Sequence, residues 1–168
     1  MGLFDFFRQN KKEKTTSEIV QPINIEETEN SPIVFETKLT ANDFNATSNL
    51  IESIVSKMVN EDPFQNFYRG MVDDDFIIGT KRVYRYEEIT TMNVDIDTRT
   101  KPILFIEGIQ LGIVPEHIFS EMKKYESKHV LTTFVFVTGG PYKEFSNETN
   151  QIVSGDTPYN LDVYIQYN

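Results

Sequence analysis

The chain has 168 residues, a formal net charge of −10, no cysteine and only two histidines. That length suits one ordinary domain plus a tail, and such a domain buries about two-thirds of its unfolded surface without a disulfide or metal staple. The composition excludes a disulfide framework, a thiolate nucleophile and a cysteine-ligated zinc, and it fits a reducing cytoplasm. It also argues against a surface that binds nucleic acid or anionic membrane over its whole extent, because neutralising phosphate needs Lys and Arg. No apolar run approaches the roughly 20 residues of a transmembrane helix, and no signal-peptide pattern appears. A soluble cytoplasmic protein is expected.

Residues 1–31 read as a flexible N-terminal tail and linker. Leu3, Phe4, Phe6 and Phe7 precede the polar run Arg8 to Lys14, a short Phe-rich foot whose expected state is a frayed terminus rather than a membrane- or partner-docking device. Gly2 does not signal myristoylation, since Phe6 stands where that motif needs Ser or Thr. Thr15 to Ser31 has Glu18, Glu26, Glu27 and Glu29 and few large apolar residues, the composition of a linker. From Pro32 the character changes, and residues 32–168 read as the folded domain. Ile33-Val34-Phe35 starts a strand running toward Leu39, with Glu36 and Lys38 on its wet face. Thr40 to Asn45 is a polar loop, and Asn45 or Thr47 is placed to cap a helix. Leu50, Ile51, Ile54, Val55 and Met58 then recur at helical spacing until Asn60-Glu61-Asp62-Pro63 stops it.

The aromatic-rich stretch Phe64 to Ile78, interrupted by Gly70 and Asp73-Asp74-Asp75, predicts an irregular loop or a short second helix. Thr80 to Ile89 gives the strongest strand signal in the middle of the chain, with Tyr84 and Tyr86 on one parity and Lys81, Val83 and Arg85 on the other. Its wet face is expected to be basic, and Thr90 to Asp97 reads as its continuation. Thr98 to Lys101 leads into a hairpin: Ile103 to Ile106 is apolar, Glu107-Gly108 supplies the turn, Leu111 to Val114 resumes around Gly112, and Pro115 closes it. Glu116 to Lys128 predicts a helix with Ile118, Phe119, Met122 and Tyr125 inward. Val130 to Val137 reads as a strand, Gly139-Gly140-Pro141 as a turn, Tyr142 to Phe145 as a short return and Leu161 to Tyr167 as a last alternating strand. The sum is an α+β fold, a small, partly open β-barrel with two or three flanking helices.

This order of elements, with Ile103 to Pro115 folded over Glu107-Gly108 and with Gly139-Gly140-Pro141-Tyr142-Lys143 after a long strand, resembles the HIRAN-like proteins of Gram-positive bacteria and their phages. It does so over roughly Ile33 to Tyr167. The resemblance implies a small barrel of the oligonucleotide-binding type. In the family's helicase-like transcription factors, that domain holds the free 3′ end of single-stranded DNA. Three family features are replaced here. Lys38-Leu39 stands for the aromatic pair of the first strand, Thr98-Arg99-Thr100-Lys101 for most of an Asp-x-Asn-Ala segment, and Ile113 for the aromatic after the second hairpin glycine. The resemblance therefore implies the fold rather than capture of a DNA end, which needs π faces and polar groups aimed at the terminal sugar.

Lys81, Arg82, Tyr84 and Arg85, with Arg99 and Lys101 in a loop expected to adjoin them, combine cations with aromatics, the recipe of a single-strand platform. The competing reading is a solvated strand face whose charge Glu87 and Glu88 partly cancel. Asp73-Asp74-Asp75 and Asp95-x-Asp97 offer carboxylates to a hard cation, yet neither continues into a calcium loop with its later Gly and bidentate Glu. They are expected to be solvated, and no metal or cofactor is assigned. His117 and His129 form no ligand pattern. No nucleophile elbow, phosphate loop or dinucleotide fingerprint occurs, so no catalytic residue is named. The expected function is a non-catalytic binding module for single-stranded nucleic acid or a DNA-processing partner. The alternative is an acidic interaction or inhibitory protein, of the kind a phage or mobile element carries, that docks on a basic protein. An enzyme is the third reading, and it would need a catalytic pair assembled only by folding.

Overall fold

The computed structural model describes residues 32–168, so the tail, linker and Phe-rich foot expected over 1–31 lie outside the described residues. In chain order the elements are β1 (Phe35–Thr40), α1 (Ser48–Glu61), β2 (Val83–Tyr84), β3 (Thr90–Thr91), β4 (Val94–Asp97), β5 (Ile103–Ile106), β6 (Ile109–Ile113), α2 (Glu116–Met122), β7 (Leu131–Ser146) and β8 (Gln151–Tyr167). The fold is α+β, with antiparallel sheets.

Alternation makes the two terminal strands. β1 exposes Glu36 and Lys38 and buries Leu39, as its pattern predicts, and it pairs with β8, Phe35 opposite Tyr167 and Leu39 opposite Val163. β8 pairs with β7 along their length. The far edge of β7 takes β2 at Lys143 and Tyr142 and β3 at Phe136 and Val135. A second sheet has the order β4-β5-β6. The ladders do not close into one barrel; the two sheets meet where the Thr133 hydroxyl donates to the Val94 carbonyl at 3.2 Å.

The core fills the space between three surfaces. Val135, Val137, Leu161, Val163 and Ile165 come from the inner face of the large sheet, Leu104, Ile106 and Leu111 from the small one, and Ile51, Ile54, Val55 and Met58 from α1. Helical spacing places those four residues on one stripe, which is why α1 lies against β8. Thr47 caps α1, its hydroxyl accepting from Leu50 N at 3.4 Å, and Asp62 ends it. Asn45, the other candidate cap, instead ends a 3-10 turn over Ala41–Phe44 in the left-handed conformation. The Asp43 carboxylate accepts from both Thr40 N and Thr40 Oγ1, and these bonds hold it below the usual carboxylate range.

The hairpin over Gly108 forms as read from the sequence. Glu107 and Gly108 both have positive φ, as a tight two-residue turn of this hand requires. A bulge leaves Leu111 without a partner between Gly112, opposite Leu104, and Gln110, opposite Phe105, and Leu111 is buried. Gly112 lets the strand approach the Ala41–Phe44 turn, since a Cβ there would stand 3.0 Å from Phe44 Cβ and O. Around Gly108 nothing lies within 4 Å of such a Cβ, so only φ constrains it. Gly108→Val should therefore cost about 1–3 kcal/mol through backbone strain, read from the urea midpoint. A variant with the parent's midpoint would contradict this turn.

Four expectations need correction. Thr80 to Ile89 is not one strand. After Val83–Tyr84 the chain turns, because the Glu87 carboxylate accepts from Tyr84 N at 2.9 Å and Tyr86 O accepts from Ile89 N at 3.0 Å. Thr90 to Asp97 does not continue it either; it splits into β3 on one sheet and β4 on the other. Gly139-Gly140-Pro141 is not a turn but part of β7, lying opposite a bulge in β8 where Pro158 and Tyr159 face Gly139 alone, and β7 runs on to a turn beyond Ser146. The second helix stops at Met122, and turns carry the chain on through Tyr125, which stacks on Phe35 and Tyr167 with ring centroids 5.2 and 5.9 Å apart. Its expected inner residues do pack inward, with Met122 buried and Ile118, Phe119 and Tyr125 against the core. The stretch from Phe64 to Ile78 is irregular, with 3-10 turns at Phe67–Gly70 and Asp73–Asp75.

Candidate binding faces

The six residues singled out from the sequence separate into two places. Lys81, Arg82, Tyr84 and Arg85 stay together at β2, which pairs β7 at Tyr142 and Lys143. Arg99 and Lys101 lie in the loop after β4, whose first residue meets β7 at Thr133. β2 belongs to the large sheet and β4 to the small one, so the two groups are carried by different sheets.

Most of these cations are already engaged. Arg82 makes a two-pronged pair with Glu144, Nε to Oε2 at 3.0 Å and Nη2 to Oε1 at 3.1 Å, while its guanidinium lies 3.7 Å over the Tyr142 ring. The pairing pushes the Arg82 pKa up and the Glu144 pKa down. Arg99 pairs with Asp97 at 2.7 Å, and its hydrogen bonds hold that carboxyl at about 2. Arg85 is enclosed between Phe67 and Tyr86, 5.1 and 5.3 Å from their centroids, with its Nε buried and unbonded. Lys81 and Lys101 are exposed and have no carboxylate partner among the described residues.

Sequence reasoning missed the outer face of the large sheet. Because Val135, Val137, Val163 and Ile165 point into the core, Phe134, Phe136 and Tyr164 must point away from it. Phe134 and Tyr164 are directly opposed and stack at 5.0 Å with 8° between planes, and Phe136 stands edge-on to both. Tyr84 and Tyr142, paired edge-to-face at 5.7 Å, extend the file. None of the five rings joins the core. Between Tyr84, Phe136, Thr138 and Tyr164 lies a recess of about 440 Å³ with Glu87 and Asp162 among its lining. Both carboxylates have partners, Glu87 in Arg69 and Asp162 in Lys38 at 2.7 Å. Lys38, whose pKa the Asp162 hydrogen bond raises, lies 5.8 Å over the Tyr164 ring. The file thus has a cation at each end, Lys38 on Tyr164 and Arg82 on Tyr142. The available sequence signal was Phe134-x-Phe136 against Val135-x-Val137, two apolar parities in a strand that needs only one for the core.

Of the acidic candidates, Asp73–Asp75 form a 3-10 turn and Asp95 and Asp97 lie in β4. Asp73 pairs with Lys143, Asp75 accepts from Val72 N at 2.8 Å, and Asp97 is taken by Arg99. Among the described residues no three His, Asp or Glu side chains are grouped to hold a metal ion. No helix there is long and apolar enough to cross a membrane. Comparison with known protein families, with curated proteins and with solved structures gives no match to this chain.

Proposed function

We propose that the chain is a non-catalytic binding module, its two sheets forming a partly open HIRAN-like barrel, and that its aromatic sheet face stacks the bases of a single-stranded nucleic acid. The observation that carries this reading is the file Tyr164, Phe134, Phe136, Tyr84, Tyr142, half-buried on the outer face, outside the core and flanked by Lys38 and Arg82. Stacking on an aromatic is worth about 1–3 kcal/mol per base and tolerates any sequence. Exposed ion pairs contribute about 0–1 kcal/mol, so Lys38 and Arg82 can exchange Asp162 and Glu144 for phosphate at small cost. Of the six residues read from sequence, Arg82 and Tyr84 belong to this face. Lys81 beside them has no carboxylate partner among the described residues, and Arg99 and Lys101 follow β4 of the other sheet.

The test is a titration of fluorescent single-stranded oligonucleotides with free and blocked 3′ ends. Phe136→Ala with Tyr164→Ala should weaken binding roughly 5- to 150-fold for each base unstacked. Arg82→Glu should weaken it less and lower the salt slope by about one unit. Equal binding by the aromatic variant would move the contact off this face, and no binding of the parent at low salt would sink the nucleic-acid reading.

A further inference from the structure

On the α1 side of the large sheet, opposite the aromatic file, Ser48, Glu52, Ser56 and Asn60 recur every fourth residue and form one ridge of the helix. Two adjoining depressions of about 330 and 250 Å³ run along the ridge, sharing Glu52 and Tyr159. Tyr159 stacks on Tyr86 at 6.2 Å and 22° across this groove, and Asp156 lines its far end. Unlike the carboxylates of the outer face, Glu52 and Asp156 have no cationic partner among the described residues. The Tyr159 hydroxyl is pushed up by its burial first and then by Tyr86, Asp156 and Glu52, against an opposing pull from Arg85.

A groove with two unpaired carboxylates and a tyrosine face between them complements a cation on an aliphatic stem: the stem lies on the ring while the head group meets the carboxylates. We propose that this groove docks a Lys or Arg side chain from an extended basic segment of a partner protein. Phosphate is repelled from it, so nucleic acid and the basic segment occupy opposite faces of the sheet. The two ligands then bind together rather than in competition.

The probe is a labelled peptide of alternating Arg and Gly, with the Gln and Gly peptide of equal length as its neutral control. Parent chain should bind the first and not the second. Glu52→Gln with Asp156→Asn should weaken binding about tenfold. Asp74→Asn with Glu148→Gln, which removes the same charge elsewhere, should leave it close to parental. An equal loss in both double variants would reduce the effect to overall charge and overturn the groove. So would retention of binding by the Glu52, Asp156 variant, or failure of the parent to bind. Displacement of the peptide by a single-stranded oligonucleotide would put it on the aromatic face and overturn the proposal in the same way, whereas a peptide that binds when no oligonucleotide does leaves the groove standing without the nucleic-acid reading.

Discussion

Gly139→Ala should destabilise the domain by about 3–5 kcal/mol, several times the effect of Gly108→Ala at about 1 kcal/mol, although both glycines have positive φ. The difference lies in what surrounds them. A Cβ on Gly108 meets open space, whereas one on Gly139 would overlap the backbone carbonyl oxygen of Pro158, which cannot rotate away. Gly140 is similarly enclosed, its Cβ falling on the Tyr159 ring, and that ring is held by Tyr86 and the core. The stretch of β7 that faces the β8 bulge therefore needs glycine twice, for φ and for space. Urea unfolding of the two alanine variants gives the comparison. Similar midpoints would mean that Gly139-Gly140 is an open turn, as the sequence alone suggests, and that the register of β7 against β8 is wrong on one side of it.

The second large effect belongs to Ile54→Ala, expected at about 2–5 kcal/mol. Ile54 is fully buried where α1 meets the sheets, so truncation removes apolar contact and leaves a void that a helix fixed at Thr47 and Asp62 cannot easily close. Alanine's better helix propensity returns only a few tenths of a kcal/mol. Ser53→Ala, one residue earlier and exposed, should stay within about 0.5 kcal/mol. If both shift the midpoint alike, α1 packs by a different stripe.

What could be read from the sequence was the local part of the fold. The hairpin over Gly108 announced itself because turn, flanking apolar runs and closing proline lie within Ile103 to Pro115. The stripe of α1 was equally plain. Tyr84 and Tyr86 looked like one parity of a strand, but a carboxylate three residues on, Glu87, captures the Tyr84 amide and turns the chain. Nothing in alternation registers such a bond. Gly139-Gly140 looked like a turn because the residues that explain it, Pro158 and Tyr159, sit on the neighbouring strand. The ion pair of Arg82 was hidden for the same reason: its partner Glu144 is 62 positions away. The aromatic face was hidden by its own hydrophobicity, since Phe134 and Phe136 are as apolar as Val135 and Val137, and only the two valines are in the core.

The pairing of β1 with β8 also sets an order of events in the cell. Among the described residues β1 has no other partner strand, so a strand made early has to wait for one made about 120 residues later. At about 5–20 residues per second, the chain between Thr40 and Tyr167 takes on the order of ten seconds to synthesise. Throughout that interval Phe35 and Leu39 stay without Tyr167 and Val163, and the pairing of widely separated strands is itself slow. The small sheet and α1 are complete long before, so the nascent chain carries a locally formed half and an unsatisfied edge, and a chaperone that shields β1 would act on this protein during translation rather than after it.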